Sequence, residues 1–254
     1  MLRTNSNLKY FIFTFITLSF LCVLFDKILF SFFGSFNIST LLGISTFGTQ
    51  KYFLWQTVTY IFVEPSYDGL SFSFILNLFF SLYLINIIGK ALIDQLGMKS
   101  FLMFSFSAIF IPGFVTYFTI KTLNVEGLIL GPNPLIYALS VVWLAFFPQD
   151  NFMLFGSIKL KAKWFTYAFI FIGLLSALSE GHFLQFLTGF IGILTAYFYI
   201  TCFLSINSPF SFTRSIDKFL IKLGKSIKKI VKGKKADVIH GKIIDIRTLD
   251  DFNH

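Results

Sequence analysis

Charge is what this sequence has least of. Asp, Glu, Lys and Arg together make up 13% of its 254 residues. That is too little to cover a folded chain of this size with water-soluble surface, and it excludes an ordinary soluble domain. Cysteine is nearly absent. Cys22 and Cys202 both fall inside apolar runs, so a disulfide framework is excluded and each reads as a small buried hydrophobe. The histidines are His182, His240 and His254, which leaves no histidine-rich metal site, and neither metal nor cofactor is expected. Charged residues inside the apolar runs and an internal repeat, the marks of a transporter or channel, are also missing, so that class ranks last.

What is present is apolar. Hydrophobic residues make up 56% of the chain, with 38 phenylalanines, and the mean hydropathy is +0.77. The pattern predicts an all-α polytopic membrane protein: a six-transmembrane-helix bundle of one domain. The spans are expected at 10–25 (extending toward 33), 71–89, 101–120, 134–147, 164–179 and 182–204. A spanning helix needs ~20 residues, so the fourth and fifth are short.

The basic residues set the expected orientation. With the amino terminus in the cytoplasm, Arg3, Lys9, Lys90, Lys99, Lys159, Lys161, Lys163 and the basic tail all fall inside. Lys51 and Lys121 fall outside, and Lys27 lies near the end of the first span. Both termini are then cytoplasmic, which requires an even number of spans. No small-x-small cleavage site follows the first span, so it reads as an uncleaved anchor. In a bacterial chain the location would be the cytoplasmic (inner) membrane. The expected organisation is a cytoplasmic amino terminus (1–9), a membrane domain (10–205) and a cytoplasmic tail (206–254).

Two connecting segments stand out. The loop from 34 to 70 is long yet apolar, with Phe36, Leu41, Leu42, Phe47, Phe53 and Trp55, and is expected to lie in the headgroup region. In the tail, an amphipathic helix is expected at about 213–233. Ile216, Phe219, Leu220, Leu223, Ile227, Ile230 and Val231 form one face, and Lys218, Lys222, Lys225, Lys228, Lys229 and Lys232 cover the other. Such a helix suits an anionic lipid surface. Nucleic-acid binding would leave the apolar stripe unused and is not expected.

Five motifs occur in order. They are Trp55-Gln56-Thr57-Val58-Thr59, Ser73-x-x-x-Asn77, Gly89 followed by Gly97, Gly131-Pro132-Asn133-Pro134-x-x-Tyr137, and His182 followed by Gly189. Together they resemble the rhomboid family of intramembrane serine proteases over about residues 10–205. The family patterns are Trp-Arg/Gln-x-x-Thr, His-x-x-x-Asn, Gly-x3-Glu-x3-Gly, Gly-x-Ser-Gly-x-x-Tyr and His-x-x-Gly-x-x-x-Gly. Lys159 to Trp164 also resembles the loop before the fifth span of bacterial members. The chain departs from these patterns at several points. Ile93 stands for Glu, Gln185 for the first Gly of the last motif, and a few extra residues lie around 66–69.

The resemblance assigns Asn133 to the nucleophile position and His182 to the general base. It assigns Ser73 and Asn77 to the oxyanion positions, and Tyr137 to the residue that stacks on the base. An amide cannot be activated to attack a carbonyl, so the implied molecule is a pseudoprotease. It would bind membrane lipids and the transmembrane helices of client proteins. The alternative is an active serine endopeptidase with a displaced nucleophile, Ser140 or Ser73. Structural readings stand beside these roles. Asn133 followed by Pro134 reads as a helix N-cap with proline at the first helical position. Asn77 reads as an interhelical hydrogen bond, and His182 as an interfacial residue.

Overall fold

The computed structural model describes residues 6–33, 37–66, 69–154, 158–206, 208 and 213–239. Side chains are described within these apart from 6–7, 27, 29–31, 33, 151–154, 158–159 and 227–239. The chain divides into two compact units, Met1–Tyr199 and Ile200–His254.

The first unit is an all-α bundle. Helix α1 (Ser6–Phe33) leads into the first loop, which holds α2 (Ile38–Leu42), α3 (Thr46–Gln50), α4 (Gln56–Thr59) and a 3-10 turn, Tyr60–Phe62. Helices α5 (Phe72–Leu96) and α6 (Met98–Leu123) follow, then α7 (Asn133–Phe146), α8 (Ala162–Ser179) and α9 (Phe183–Phe198). Among the described residues, five segments are long and apolar enough to cross a membrane: Leu8–Asp26, Phe72–Leu96, Met98–Leu123, Ala162–Ser179 and Phe183–Leu204. Helix α7 is apolar but shorter. This is the architecture of an all-α multi-pass membrane protein.

Helix α7 explains its own length. At 14 residues it reaches only ~21 Å at 1.5 Å per residue, well short of a ~30 Å hydrocarbon layer. It is enclosed rather than lipid-facing: every residue from Pro134 to Leu144 is buried. Glycines on its neighbours allow the close approach. A Cβ on Gly192 of α9 would lie 2.6 Å from the Pro134 carbonyl oxygen. One on Gly173 of α8 would collide with the Tyr137 hydroxyl. Helices α6 and α9 are tied by Thr116 and Thr188, whose hydroxyls are 2.8 Å apart.

The first loop, expected to be an apolar strip, has a fold of its own. Asn37 caps α2, accepting from the Thr40 N–H at 2.8 Å, and Asp26 of α1 accepts from the N–H groups of Ile38 and Ser39. At its centre is Gln56, fully buried. Its Nε2 donates to the carbonyls of Thr40 (2.8 Å) and Leu41 (3.2 Å), and its Oε1 accepts from Ser45 N (3.2 Å). Trp55 Nε1 donates to Leu41 O and Thr59 Oγ1 to Leu42 O. The Trp-Gln-x-x-Thr motif therefore supplies donors to the carbonyls of residues 40–42. A two-residue strand, β1 (Ile44–Ser45), pairs antiparallel with β2 (Leu128–Ile129), joining this loop to the segment that enters α7.

A second antiparallel pair lies in the connection between α7 and α8. Strand β3 (Asn151–Leu154) pairs with β4 (Ile158–Lys161), Asn151 opposite Lys161. It lies in a segment read from the sequence only as a loop.

The second unit begins within a π-helical turn (Tyr199–Leu204) and continues to α10 (Arg214–Ile239). Asp217 is buried and accepts from Ser208 N at 2.9 Å. A Cβ on Gly224 would collide with the Cys202 carbonyl. Lys218, Lys222 and Lys225 are exposed on α10, and so are Ile216, Phe219 and Leu223. The side chains of Ile227, Lys228, Lys229, Ile230, Val231 and Lys232 lie outside the described residues.

Replacing Gln56 by Ala removes its bonds to Thr40 O and Leu41 O, which keep Ser45 Oγ and Trp55 Nε1 as donors, and takes the Gln56 acceptor from the Ser45 N–H, a loss of about 1–3 kcal/mol. We expect Gln56→Ala to lower the unfolding midpoint in detergent. Circular dichroism melts check this, with Gln50→Ala, an exposed glutamine, as the neutral control.

Candidate functional site

The start of α7 is set by backbone geometry rather than by an asparagine cap. Gly131 adopts φ +101°, a conformation that suits glycine, and its N–H donates to Tyr60 O at 3.0 Å. Pro132 then occupies the N-cap position, and its carbonyl accepts from Ile136 N at 2.9 Å. Asn133 is thus the first helical residue and makes no capping bond. The expectation of an Asn133 cap fails because Pro132 already supplies the first acceptor, so Pro134 sits one place further into the helix. The Asn133 side chain is free to line a cavity.

That cavity measures about 410 Å³. It brings together four of the residues singled out from the sequence: Asn133, Tyr137, Ser73 and Asn77. Ser73 and Asn77 lie on one face of α5 and are exposed. The side-chain amides of Asn77, Asn133 and Gln185 make no hydrogen bond among the described residues. Asn77 therefore does not form the interhelical bond that its position in a span suggested; it faces the cavity instead.

His182 does not line this cavity. It borders a neighbouring one of about 370 Å³, between the 125–129 segment and the start of α9. Its Nδ1 lies 3.3 Å from Glu180 Oε2, with both side chains well exposed. The α9 residue that lines the Asn133 cavity is Gln185, which borders both spaces. The physical reason is helix phase. His182 precedes the first turn of α9, whereas Gln185 lies within it on the inward side. Tyr137 accordingly does not stack on a histidine. Its ring packs beside Gly189 and edge-on to Phe169, centroids 5.4 Å apart. Ser140 is fully buried, has no hydrogen-bond partner and is not among the lining residues. Ser73 lines the cavity and makes no hydrogen bond to a histidine or carboxylate among the described residues.

Sequence reasoning missed Glu64, which also lines the cavity. The signal was legible: a lone carboxylate ends the apolar run Tyr60-Ile61-Phe62-Val63 and precedes Pro65. Glu64 is 6% exposed. Its N–H donates to Ser19 Oγ of α1 at 3.0 Å, and Ser81 Oγ of α5 lies 3.4 Å from its carboxylate. Burial pushes its carboxyl up from the ordinary 4.5 to about 7, against a smaller downward pull from Ser81. Among the described residues no cluster of His, Cys, Asp and Glu could hold a metal ion.

No model of a known protein family matches this chain, and no curated protein matches it.

The raised pKa of Glu64 gives a pH dependence. Below the ordinary 4.5 both folded and unfolded chains carry the proton. Between there and about 7 only the unfolded chain loses it, so stability falls as pH rises and then levels off. A shift of this size corresponds to roughly 3 kcal/mol. Glu64→Gln should therefore match the parent chain near pH 4 and exceed it in melting temperature above pH 7. Thermal melts across that range check it.

Proposed function

We propose that this chain is a rhomboid-like pseudoprotease, a non-catalytic membrane protein that binds transmembrane or juxtamembrane segments of client proteins. The observation that carries the reading is the cavity at the start of α7. It gathers the nucleophile, oxyanion and stacking positions of the resemblance around Asn133, without a hydroxyl and imidazole in register. A polar recess beside a short enclosed helix offers hydrogen-bonding groups to a segment poorly stable in lipid. Little of that recess is spent internally, because the amides of Asn77, Asn133 and Gln185 make no hydrogen bond among the described residues.

The proposed topology has six spans, with α7 as the enclosed fourth and both termini in the cytoplasm. The distribution of basic residues supports it. The α10 face that carries Lys218, Lys222 and Lys225 would then meet the inner leaflet, with Ile216, Phe219 and Leu223 entering it.

Two measurements test the reading. Crosslinking in membranes followed by purification should recover membrane proteins above background; recovery of none removes the support for client binding. A fluorophosphonate probe should leave the chain unlabelled. Asn133→Ser should also stay unlabelled, because His182 lies outside the cavity. Labelling of the parent chain that disappears in His182→Ala would establish a working protease instead.

A further inference from the structure

The Asn133 cavity has a sign. Two carboxylates line it, Glu64 and Glu180, and no lysine, arginine or histidine is among the described residues that do. Three amides add acceptor oxygens: Asn77, Asn133 and Gln185. This is unusual in a chain whose net charge is +9.

The two carboxylates differ in what they have left to offer. Glu180 is exposed and committed on both oxygens, one to Ser176 Oγ at 2.8 Å and the other to His182 at 3.3 Å. Glu64 is buried and, among the described residues, its carboxylate accepts one long bond, from Ser81 at 3.4 Å. A carboxylate has about four acceptor positions, so most of the Glu64 capacity is unspent. Glu64 also borders a second cavity of about 360 Å³, where Asp26 is already occupied by the N–H groups of Ile38 and Ser39. Of the described carboxylates around this recess, Glu64 combines the deepest burial with the most free acceptor capacity.

A buried anion without a partner is costly, and a cation that reaches it removes that cost. The occupant must therefore bring positive charge and several N–H donors. A metal ion is disfavoured, because no group of three His, Cys, Asp or Glu able to hold one occurs among the described residues. We propose that the cavity takes a cationic side chain, lysine or arginine, of a bound polypeptide segment, with Glu64 as its counter-ion and the amide oxygens of Asn77 and Asn133 as further acceptors. The proposal rests on the segment-binding reading and names the chemistry of the segment. A lysine or arginine in or beside a span is expensive in lipid. A protein carboxylate at the recess gives it a partner that lipid does not.

The test uses the full chain in phospholipid vesicles. The probes are synthetic apolar helical peptides of spanning length. Each carries a photoreactive residue beside one central position, which is lysine, arginine, norleucine or glutamate. The lysine and arginine peptides should label the protein on the order of tenfold more than the norleucine peptide, and the glutamate peptide least. The adducts should map to α5 and α7. Glu64→Gln keeps the size and the Ser81 bond, and should bring lysine labelling down to the norleucine level. Asn133→Lys supplies a cation from the chain itself, and should suppress lysine labelling while sparing norleucine. Equal labelling by lysine and norleucine peptides overturns the cation assignment and leaves segment binding standing. Labelling by no peptide overturns both. A lysine preference that survives in both variants overturns Glu64 as the counter-ion.

Discussion

A helix of 14 residues cannot face lipid along its length, and the membrane unit is organised around enclosing it. Enclosure requires close neighbours, and close neighbours require missing side chains. Gly192 meets the Pro134 carbonyl, and Gly173 and Gly189 meet the Tyr137 ring. These contacts lock the first turn of α7 against α8 and α9. Because that turn is fixed, the residues ahead of it are fixed as well, and Gly131 and Pro132 hold the chain open beside Tyr60. The cavity is the space left between this immobilised helix start, α5 and the first loop.

The second constraint is the absence of water as a partner for backbone groups. A long loop between two spans must satisfy its own carbonyls, and here Gln56, Trp55 and Thr59 do so for residues 40–42. The same logic acts at Ser19, whose hydroxyl bridges Phe62 O and Glu64 N. That bridge anchors the end of the loop to α1 and holds the Glu64 backbone at the cavity wall. The ordered first loop and its anchor on α1 are therefore consequences of one requirement: backbone donors and acceptors taken out of water need partners.

Much of this was legible residue by residue. The apolar runs marked the apolar helices closely: the run expected from residue 71 is a helix from Phe72, and the one expected from 134 begins at Asn133. The tail pattern around Leu220 and Lys222 marked α10. Ile158-Lys159-Leu160-Lys161 alternates as a strand should, yet its pairing with Asn151–Leu154 passed unnoticed because the basic residues suggested a loop. Asn133 followed by Pro134 looked like a cap because local preference favours it. The actual cap, Pro132, is set by the Gly131 turn and its bond to Tyr60 O, which lies 71 residues away in sequence.

By itself the sequence determined that the chain lives among apolar surroundings, where its helices run, and that no activatable hydroxyl stands at position 133. These follow from composition and local period, which need no knowledge of neighbours. Only the tertiary structure decided that Gln185 rather than His182 joins Asn133, that Asn77 faces a cavity, and that Glu64 is buried beside it. Each depends on helix phase and on the approach of segments distant in sequence. A one-residue change in where α9 begins turns a side chain by ~100°, and no local preference fixes that to the needed precision.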